Sequence, residues 1–375
     1  MVVGYLAVNG RLKGKRILVL SSYHSDISVY WAARLGELFP EAELKLVSLP
    51  PQNFAWRVRG AALRFIHQET AALNDSYDLL LVTSHCDLAT LRGLCPALAS
   101  IPTVLCFLDN PFALAEGHRA SAGTDAQMNA LYAAECADQC WFNSRHNLTS
   151  FMSGVAALLD KQPDEVPAGV VPSLLAKSVV LPIPLSQDVF DEASGPQSNT
   201  ELRILWNHRW GFEKGPERLL AFAKALGQSD LSAKLVLVGP RNEQIPMSMA
   251  ELIEQHADLI AFNQPVSDRQ LYKACLVQAD VVLSTARQDF QGIDVMEAAA
   301  MGCVPLLPDR LSYPEYFPEL ARFHSVPDAD QEATNAVSLL RQWVAQGFPT
   351  KPDLQWLKVE SLVEKYQDAL DSISS

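Results

Sequence analysis

Short apolar runs return along the chain, and helical patterns fill the intervals between them. The runs lie at 17–20, 44–49, 79–83, 103–108 and 140–142, and again at 202–206, 234–238, 259–262, 280–284 and 304–307. A short strand that is apolar on both faces is typical of a parallel sheet covered by helices on either side. The sequence therefore predicts an α/β fold, in which 304–307 is the final strand.

The alternation pauses near residue 185 and then starts again, which predicts two doubly wound, Rossmann-like domains. A length of 375 residues fits about two domains. We expect an N-terminal α/β domain over 1–185 and a C-terminal α/β domain over 186–352. A helical stretch over 353–375 is expected to cross back onto the first domain. Ligand crevices form at the carboxyl ends of the strands in such domains, so two facing crevices would create a cleft.

Composition limits the classes of function. The net charge of −13 argues against broad binding to nucleic acid, although it leaves room for a local basic patch at Arg57, Arg59 and Arg64. The seven cysteines contain no Cys-x-x-Cys pair and the eight histidines no ligand spacing, so we expect a reducing cytoplasm and no protein-held metal. No apolar run reaches the roughly 18 residues of a membrane helix, so we expect no membrane contact. The oligomeric state is not predicted.

The stretch 284–305 joins a strand to a helix through a glycine-containing loop. Asp289 and Glu297 bracket the loop, and the helix begins near Ile293, just after Gly292. The free N–H groups at a helix start can cradle a phosphate, and a carboxylate one turn into the helix could reach ribose hydroxyls. An ordinary strand-to-helix connection is the alternative for this stretch taken alone.

A second loop, 207–215, also follows a strand and precedes a helix. It carries Arg209 and Lys214, which could grip a diphosphate, the first through a planar fork and the second as a point charge. Exposed loop charges without a ligand are the alternative. Trp206 or Trp210 could stack on a base or could lie in the core.

These two loops, Arg209-x4-Lys214 and Asp289-x7-Glu297, resemble the donor site of the retaining glycosyltransferases with a GT-B fold. Other stretches resemble the tRNA-queuosine mannosyltransferase family: 48–60, 87–93, 128–129, 142–144, 204–210, 214–217 and 313–315. The resemblance covers residues 16 to 320 and implies two facing domains of GT-B type. The family transfers mannose from GDP-mannose to the cyclopentenediol of queuosine in a tRNA anticodon.

The resemblance implies a role for each matching residue. Arg209 and Lys214 would bind the donor diphosphate and act in catalysis with Asp289, which faces the sugar, while Glu297 would hold the ribose. The remaining donor-binding candidates are His208, Gly292 and Ile293. The acceptor-binding candidates are Trp56, Arg57, Arg59, Asp109 and Asn110. No cofactor or metal is implied, because two cations and a helix dipole would stabilise the departing diphosphate.

Three of the acceptor candidates, Trp56, Arg57 and Arg59, lie within one short stretch. An aromatic ring and two guanidiniums can stack on a nucleobase and neutralise phosphates, which suits a tRNA acceptor. An Arg-rich helix start over a core Trp56 is the alternative.

Several positions depart from the family pattern. Leu108 stands where the family has a histidine in Phe-His-Glu-Asn-Gln, Ile27-Ser28 stands where it has Ser-His, and Gly211 stands where it often has an acidic residue. A leucine neither hydrogen-bonds nor transfers a proton, so the contact made by that imidazole is lost. Replacement imidazoles could come from His24, His85 or His118, and a structural or solvent-exposed role is the alternative for each.

Three functions follow from this sequence. The first is a cytoplasmic retaining glycosyltransferase that uses a GDP-sugar, mannose by resemblance, and queuosine-modified tRNA. The second is a divergent relative that acts on another acceptor, or a nucleotide-sugar-binding protein with little or no transfer. The third is a sugar-nucleotide epimerase on the same fold.

Overall fold

The computed structural model describes residues 12–114, 116–191, 201–241 and 244–373, and the side chains of 116–122 lie outside this description. The chain divides into two compact units. The first unit contains Met1–Pro184 and Val359–Ser375, and the second contains Leu185–Lys358. Within the described ranges, every helix is too short or too polar to cross a bilayer.

Each unit is built on six parallel strands, so the predicted α/β fold is confirmed. The strands of the first unit are β1 (Arg16–Ser21), β2 (Glu43–Ser48), β3 (Leu79–Thr83), β4 (Thr103–Phe107), β5 (Gln139–Phe142) and β6 (Ser178–Val180). Those of the second are β7 (Leu202–Trp206), β8 (Ala233–Leu237), β9 (Ile260–Asn263), β10 (Val281–Leu283), β11 (Val304–Pro308) and β12 (Arg322–Phe323).

The helices alternate with these strands. They are α1 (Asp26–Leu38), α2 (Phe54–Gln68), α3 (Thr70–Leu73), α4 (Leu88–Leu94), α5 (Glu116–Cys136), α6 (Arg145–Asp160), α7 (Val170–Ala176), α8 (Pro216–Gly227), α9 (Met247–Gln255), α10 (Arg269–Val277), α11 (Ile293–Ala300), α12 (Tyr313–Tyr316), α13 (Ala329–Gln346) and α14 (Val359–Asp371). Short 3₁₀ turns lie at 96–98, 187–189, 212–214, 257–259, 319–321 and 355–357.

The first sheet has the strand order β2-β1-β3-β4-β5-β6. β3, β4 and β5 are buried along their whole length, as expected for strands that are apolar on both faces. The order reverses between β1 and β3, and a doubly wound sheet opens its ligand crevice at such a point, beyond the carboxyl ends of the strands.

Two local contacts stabilise helices α6 and α14 of the first unit. The Ser144 hydroxyl accepts a hydrogen bond from the Asn147 N–H at 3.0 Å and so caps the N-terminus of α6. Helix α14 packs in the same unit, where the buried Tyr366 hydroxyl donates to the carbonyl of Pro182 at 3.1 Å and its ring meets Trp141 edge-on.

The second sheet has the order β12-β11-β10-β7-β8-β9. The prediction that 304–307 is the final strand is wrong, because β12 pairs in parallel with β11. A strand of two residues is too short to give an apolar run. Helix α13 packs on α8 and closes this unit, with Ala333, Ala336, Leu340 and Trp343 buried on one face.

Candidate functional site

The loops that follow β7, β8 and β10 touch one another through their backbones. Gly215 has a φ of 66°, and a Cβ there would lie 2.2 Å from the Thr285 carbonyl oxygen. Gly239 has a φ of 137°, and a Cβ there would lie 2.3 Å from the His208 carbonyl oxygen. In addition, the Thr285 hydroxyl donates to the Lys214 carbonyl at 2.8 Å. Only glycine permits this approach, so the three loops hold each other in place.

Both tryptophans near the first of these loops are core residues. Trp206 is fully buried and donates from Nε1 to the Thr285 hydroxyl at 2.9 Å. Trp210 is also buried, and the Arg241 guanidinium lies 4.6 Å from its ring centroid. Of the two interpretations left open by the sequence, the structure supports core packing over stacking on a base.

Lys214 is the centre of a buried charge cluster. Its Nζ lies 2.8 Å from Asp289 Oδ2 and 3.4 Å from Asp294 Oδ2. The Lys214, Asp289 and Asp294 side chains are 14%, 8% and 23% exposed. The structure thus brings two predicted site residues, Lys214 and Asp289, together and adds a carboxylate that the sequence pattern did not single out.

Three polar side chains, His208, Ser284 and Tyr313, extend the cluster into a hydrogen-bond network. His208 is fully buried, with Nδ1 hydrogen-bonded to Asp294 and Nε2 2.9 Å from the Ser284 hydroxyl. The Ser284 hydroxyl lies 2.7 Å from the Tyr313 hydroxyl, which donates to Asp289 at 3.3 Å. Both nitrogens of His208 are used inside the protein. His208 thus positions Asp294, and its predicted role in donor binding stays a prediction.

The charges shift the pKa values of the cluster in opposite directions. Burial acts to lower the pKa of Lys214, but Asp289 and Asp294 outweigh it and raise that pKa well above its usual value. Burial acts to raise the pKa of Asp294, but His208 and Lys214 hold it far below its usual range. Burial raises the pKa of Tyr313 well above its usual value. An ammonium and a carboxylate therefore persist together in a site with little water.

The cluster also contains the only metal-like grouping found among the described residues. Ligand atoms of His208, Asp289 and Asp294 lie within 4.8 Å of one another. The Lys214 ammonium already bonds to both of these carboxylates. A divalent ion would have to displace the Lys214 ammonium. The two carboxylates therefore already have a cation bound, which the protein itself supplies.

Helix α11 starts beside the cluster. Gly292 precedes it with a φ of 82°, and a Cβ there would lie 3.0 Å from the Tyr313 ring. The Asp294 carboxylate accepts a hydrogen bond from the Val295 N–H at 3.0 Å, a favourable place for a negative charge at a helix N-terminus. Gly292 and Ile293 thus lie where the sequence predicts them, at the start of the helix.

Arg209 keeps its guanidinium half-exposed while a buried carboxylate orients it. Its Nε bonds to Glu213, whose side chain is buried. A Cβ on Gly211 would lie 2.3 Å from that carboxylate. The space of the acidic residue that the family pattern places at 211 is therefore filled by the carboxylate of Glu213.

Glu297 lies in a separate ion network on the next turn of α11. Both of its oxygens accept from the Arg269 guanidinium, at 2.9 and 3.0 Å. Arg269 makes a second two-point contact with Asp188, at 2.9 Å for each bond, and this holds the pKa of Asp188 at about 2. The Glu297 carboxylate, which is predicted to contact the ribose, is therefore already bound to the Arg269 guanidinium.

The first unit holds the predicted acceptor residues. Trp56 is 63% exposed near the start of α2, so the interpretation as a core tryptophan is wrong. Arg57 donates to the Gln52 carbonyl at 3.3 Å, and Arg59 lies 3.0 Å from Asp87.

Asn110 and Asp109 differ sharply. Asn110 is fully buried; its amide nitrogen bonds to Asn147 at 2.7 Å and its oxygen accepts from the Phe112 N–H at 3.0 Å. Asn110 thus connects the loop after β4 to α6, and its predicted acceptor contact stays a prediction. Asp109 lies 2.8 Å from His85.

Four residues of the second unit were not predicted as site residues. They are Asp294, Ser284, Tyr313 and Arg269. The first two lie inside the stretch singled out from the sequence, and Tyr313 lies in one of the motifs shared with the family. Their contacts depend on partners up to 86 residues away, which spacing does not reveal.

Matches to known protein families cover both units of the chain. Residues 16–185 match the family model for the N-terminal part of tRNA-queuosine alpha-mannosyltransferase, and residues 190–342 match the model of glycosyl transferases group 1. The tRNA-queuosine alpha-mannosyltransferase of Drosophila melanogaster is 26% identical over 312 residues, which cover 81% of this chain and 82% of that protein.

Two solved structures show the fold. One is an alpha,alpha-trehalose-phosphate synthase (UDP-forming) from Burkholderia xenovorans, with a TM-score of 0.68, 12% identity, and coverage of 96% of this chain and 100% of that chain. The other is the N-terminal domain of trehalose-6-phosphate phosphatase from Candida albicans, with a TM-score of 0.66, 13% identity, and coverage of 99% and 98%. The fold is of the GT-B class.

Proposed function

We propose that this chain, whose two parts match the family models described above, is a divergent member of the tRNA-queuosine alpha-mannosyltransferase family and transfers mannose from GDP-mannose to queuosine in tRNA. The glycosyltransferase class follows from the family. The GDP-mannose donor, the retaining course and the cytoplasmic setting belong to the proposal.

The observation that carries the proposal is the buried ammonium of Lys214 beside Asp289, in the same unit as the half-exposed guanidinium of Arg209. Negative charge grows on the diphosphate as its bond to the sugar breaks. A fixed ammonium in a dry site stabilises such charge without reorganisation at the moment of reaction. Lys214 would therefore act on the leaving diphosphate, and Arg209 would grip it with a two-point fork.

The carboxylates have complementary parts in this proposal. Asp289 is oriented by Lys214 and by Tyr313, so its remaining lone pairs would accept hydrogen bonds from sugar hydroxyls. The backbone N–H groups after Gly292 would face the phosphates. Glu297 would bind the ribose in addition to its two-point contact with Arg269, because a carboxylate accepts about four hydrogen bonds.

Transfer of label tests the proposal. The protein is incubated with labelled GDP-mannose and with tRNA that carries or lacks queuosine, and labelled UDP-glucose serves as the competing donor. We expect label only from GDP-mannose and only on the modified tRNA. Label on both tRNAs, or none on either with donor still bound, would favour a different acceptor or a binding protein. A preference for UDP-glucose would refute the GDP-mannose donor.

Two variants connect the activity to the site. Lys214→Ala and Arg209→Ala are expected to abolish binding of the GDP-sugar. Lys224→Ala is the matched control, since that lysine forms an exposed pair with Glu251 on the same unit. If both site variants bind the donor as well as the control does, the diphosphate assignment is wrong.

A further inference from the structure

The first unit carries an imidazole–carboxylate pair at the carboxyl edge of its sheet. His85 follows β3 and Asp109 follows β4, and these strands are hydrogen-bonded neighbours. β3 also borders the point where the strand order reverses, which is where a doubly wound sheet binds its ligand. The pair therefore lies at the position in this unit where the fold favours a binding site.

The pair is held in a fixed geometry. His85 Nε2 lies 2.8 Å from Asp109 Oδ1, and the two side chains are 10% and 26% exposed. The rings of Phe54 and Tyr23 meet the imidazole edge-on, with centroids at 5.0 and 6.0 Å. An imidazole bonded through one nitrogen to a carboxylate and confined by two rings presents its other nitrogen in one direction.

The neighbouring charge also favours a protonated His85 ring that donates hydrogen bonds. Burial acts to lower the pKa of His85, but the Asp109 carboxylate outweighs it and the pKa is raised. A protonated imidazole donates from both nitrogens, so Nδ1 can donate to an oxygen of a ligand while Nε2 donates to Asp109.

The predicted acceptor residues of α2 lie next to the loop after β3 that carries His85. Phe54 begins α2 and packs on the His85 ring, and Arg59 of α2 lies 3.0 Å from Asp87, two residues after the histidine. The exposed Trp56 lies between these two contacts in the sequence of the helix. The imidazole, the guanidinium and the indole are thus carried by elements that hold one another in place.

The other candidate imidazoles differ. His24 has a buried Nδ1 with no hydrogen-bond partner in the described residues, and burial lowers its pKa. His118 falls among the side chains outside the description. Within the described residues, His85 is the only histidine at this edge that forms an ion pair with a carboxylate.

We propose that His85, oriented by Asp109, binds the hydroxyls of the acceptor and so takes the part of the imidazole that Leu108 lacks. The inference rests on the proposed function, because it assigns the acceptor's diol to this pair. Leu108 follows β4 and His85 follows the neighbouring β3, so the two positions lie at the same edge of the sheet. Asp109, next to Leu108 in the sequence, fixes the imidazole there.

Steady-state kinetics of the full chain with GDP-mannose and queuosine-modified tRNA test the inference. His85→Gln is expected to raise the KM for tRNA by roughly 10- to 100-fold, the effect of losing one hydrogen bond to a charged group. Donor binding is expected to stay within twofold of the unmodified protein. Asp109→Asn keeps an oxygen that can accept a hydrogen bond from the His85 ring but removes the negative charge of the carboxylate. It is expected to raise the KM for tRNA by a smaller factor. His67→Gln, at the exposed end of α2, is the control.

The outcomes separate this inference from the proposed function. A raised acceptor KM with unchanged donor binding supports it, because a merely structural defect would weaken both. If His85→Gln transfers mannose as the unmodified protein does, or loses donor and acceptor binding together, the inference is refuted while the proposed function stands. If the unmodified protein transfers nothing to queuosine-modified tRNA, the proposed function fails and the inference fails with it.

Discussion

Replacing Lys214 by methionine removes the ammonium from the buried cluster and keeps most of the side-chain volume. Two carboxylates, Asp289 and Asp294, then lose their shared cation, at 2.8 and 3.4 Å. Removing one partner of a buried ion pair costs about 3–5 kcal/mol, because the other charge stays buried and uncompensated. His208 still pairs with Asp294 and Tyr313 with Asp289, so we expect the lower end, about 3 kcal/mol.

That loss is measurable by heat and by denaturant. For a domain of this size each kcal/mol lowers Tm by about 2–4 °C, so the second unit should unfold about 6–12 °C earlier. Differential scanning calorimetry and urea unfolding would give the shift. Lys224→Met is the control, because its exposed pair with Glu251 contributes less than about 1 kcal/mol.

The difference between Lys214→Met and the unmodified protein should depend on pH. The pKa of Asp294 is depressed in the folded protein, so its contribution to stability is present above its usual pKa near ~3.9 and is lost as the pH falls further. In Lys214→Met the pKa of Asp294 is depressed less, because the ammonium is gone. Protonation of Asp294 at low pH then removes the buried charge that has lost its partner. The gap in unfolding free energy should therefore be largest near neutral pH and narrow below about pH 4.

A double variant completes the test. Lys214→Met with Asp294→Asn removes one buried charge along with the cation, so it should be more stable than Lys214→Met alone by at least about 1 kcal/mol. A gap under about 1 kcal/mol for the single variant at pH 7, or a gap that stays constant on acidification, would refute the reasoning.

Three further changes probe other parts of the protein. Gly215→Ala forces a left-handed φ on a residue with a Cβ, and a backbone carbonyl faces that Cβ at 2.2 Å, so we expect a lower Tm and at least tenfold weaker GDP-sugar binding by calorimetry. Gly36→Ala, inside α1 with open space around it, should leave GDP-sugar binding unchanged and should not lower the Tm. Arg269→Ala leaves the buried Glu297 without its two-point partner, and we expect a loss of about 2–4 kcal/mol in urea unfolding; an unchanged midpoint would contradict this. Arg59→Ala should weaken tRNA binding and reduce the slope of log affinity against log salt by about one in filter binding, and an unchanged slope would remove it from the phosphate contacts.

Much of the fold was predictable because its signals are local. Strands buried on both faces appear as apolar runs, and the cap of α6 appears as Ser144 before a helical pattern. Helix α13 was not predicted, although its buried positions, Ala333, Ala336, Leu340 and Trp343, have helical spacing. Strand β12 was missed for a physical reason, since two residues that include a half-buried arginine carry no periodicity.

The candidate site was predictable only in part. Spacing placed Lys214 and Asp289 in loops at the carboxyl ends of β7 and β10, and the fold brings their side chains within 2.8 Å. Spacing gave no indication that His208 is buried against Asp294, or that Arg269 binds Glu297. These contacts depend on how strands far apart in sequence neighbour each other in the sheet.

The close approach at Gly215 and Gly239 limits how this protein can be recombined with a relative. Each glycine lets one loop rest directly on a carbonyl of another, without a side chain between them that could adjust its rotamer. A chimera that imports only the loop after β7 would meet two foreign backbones at fixed distances, and one that imports the loop after β8 or β10 would meet one. The loops after β7, β8 and β10 should therefore be inherited, and transplanted, as one block. A change of donor preference within that block would come from substitutions that leave its backbone alone.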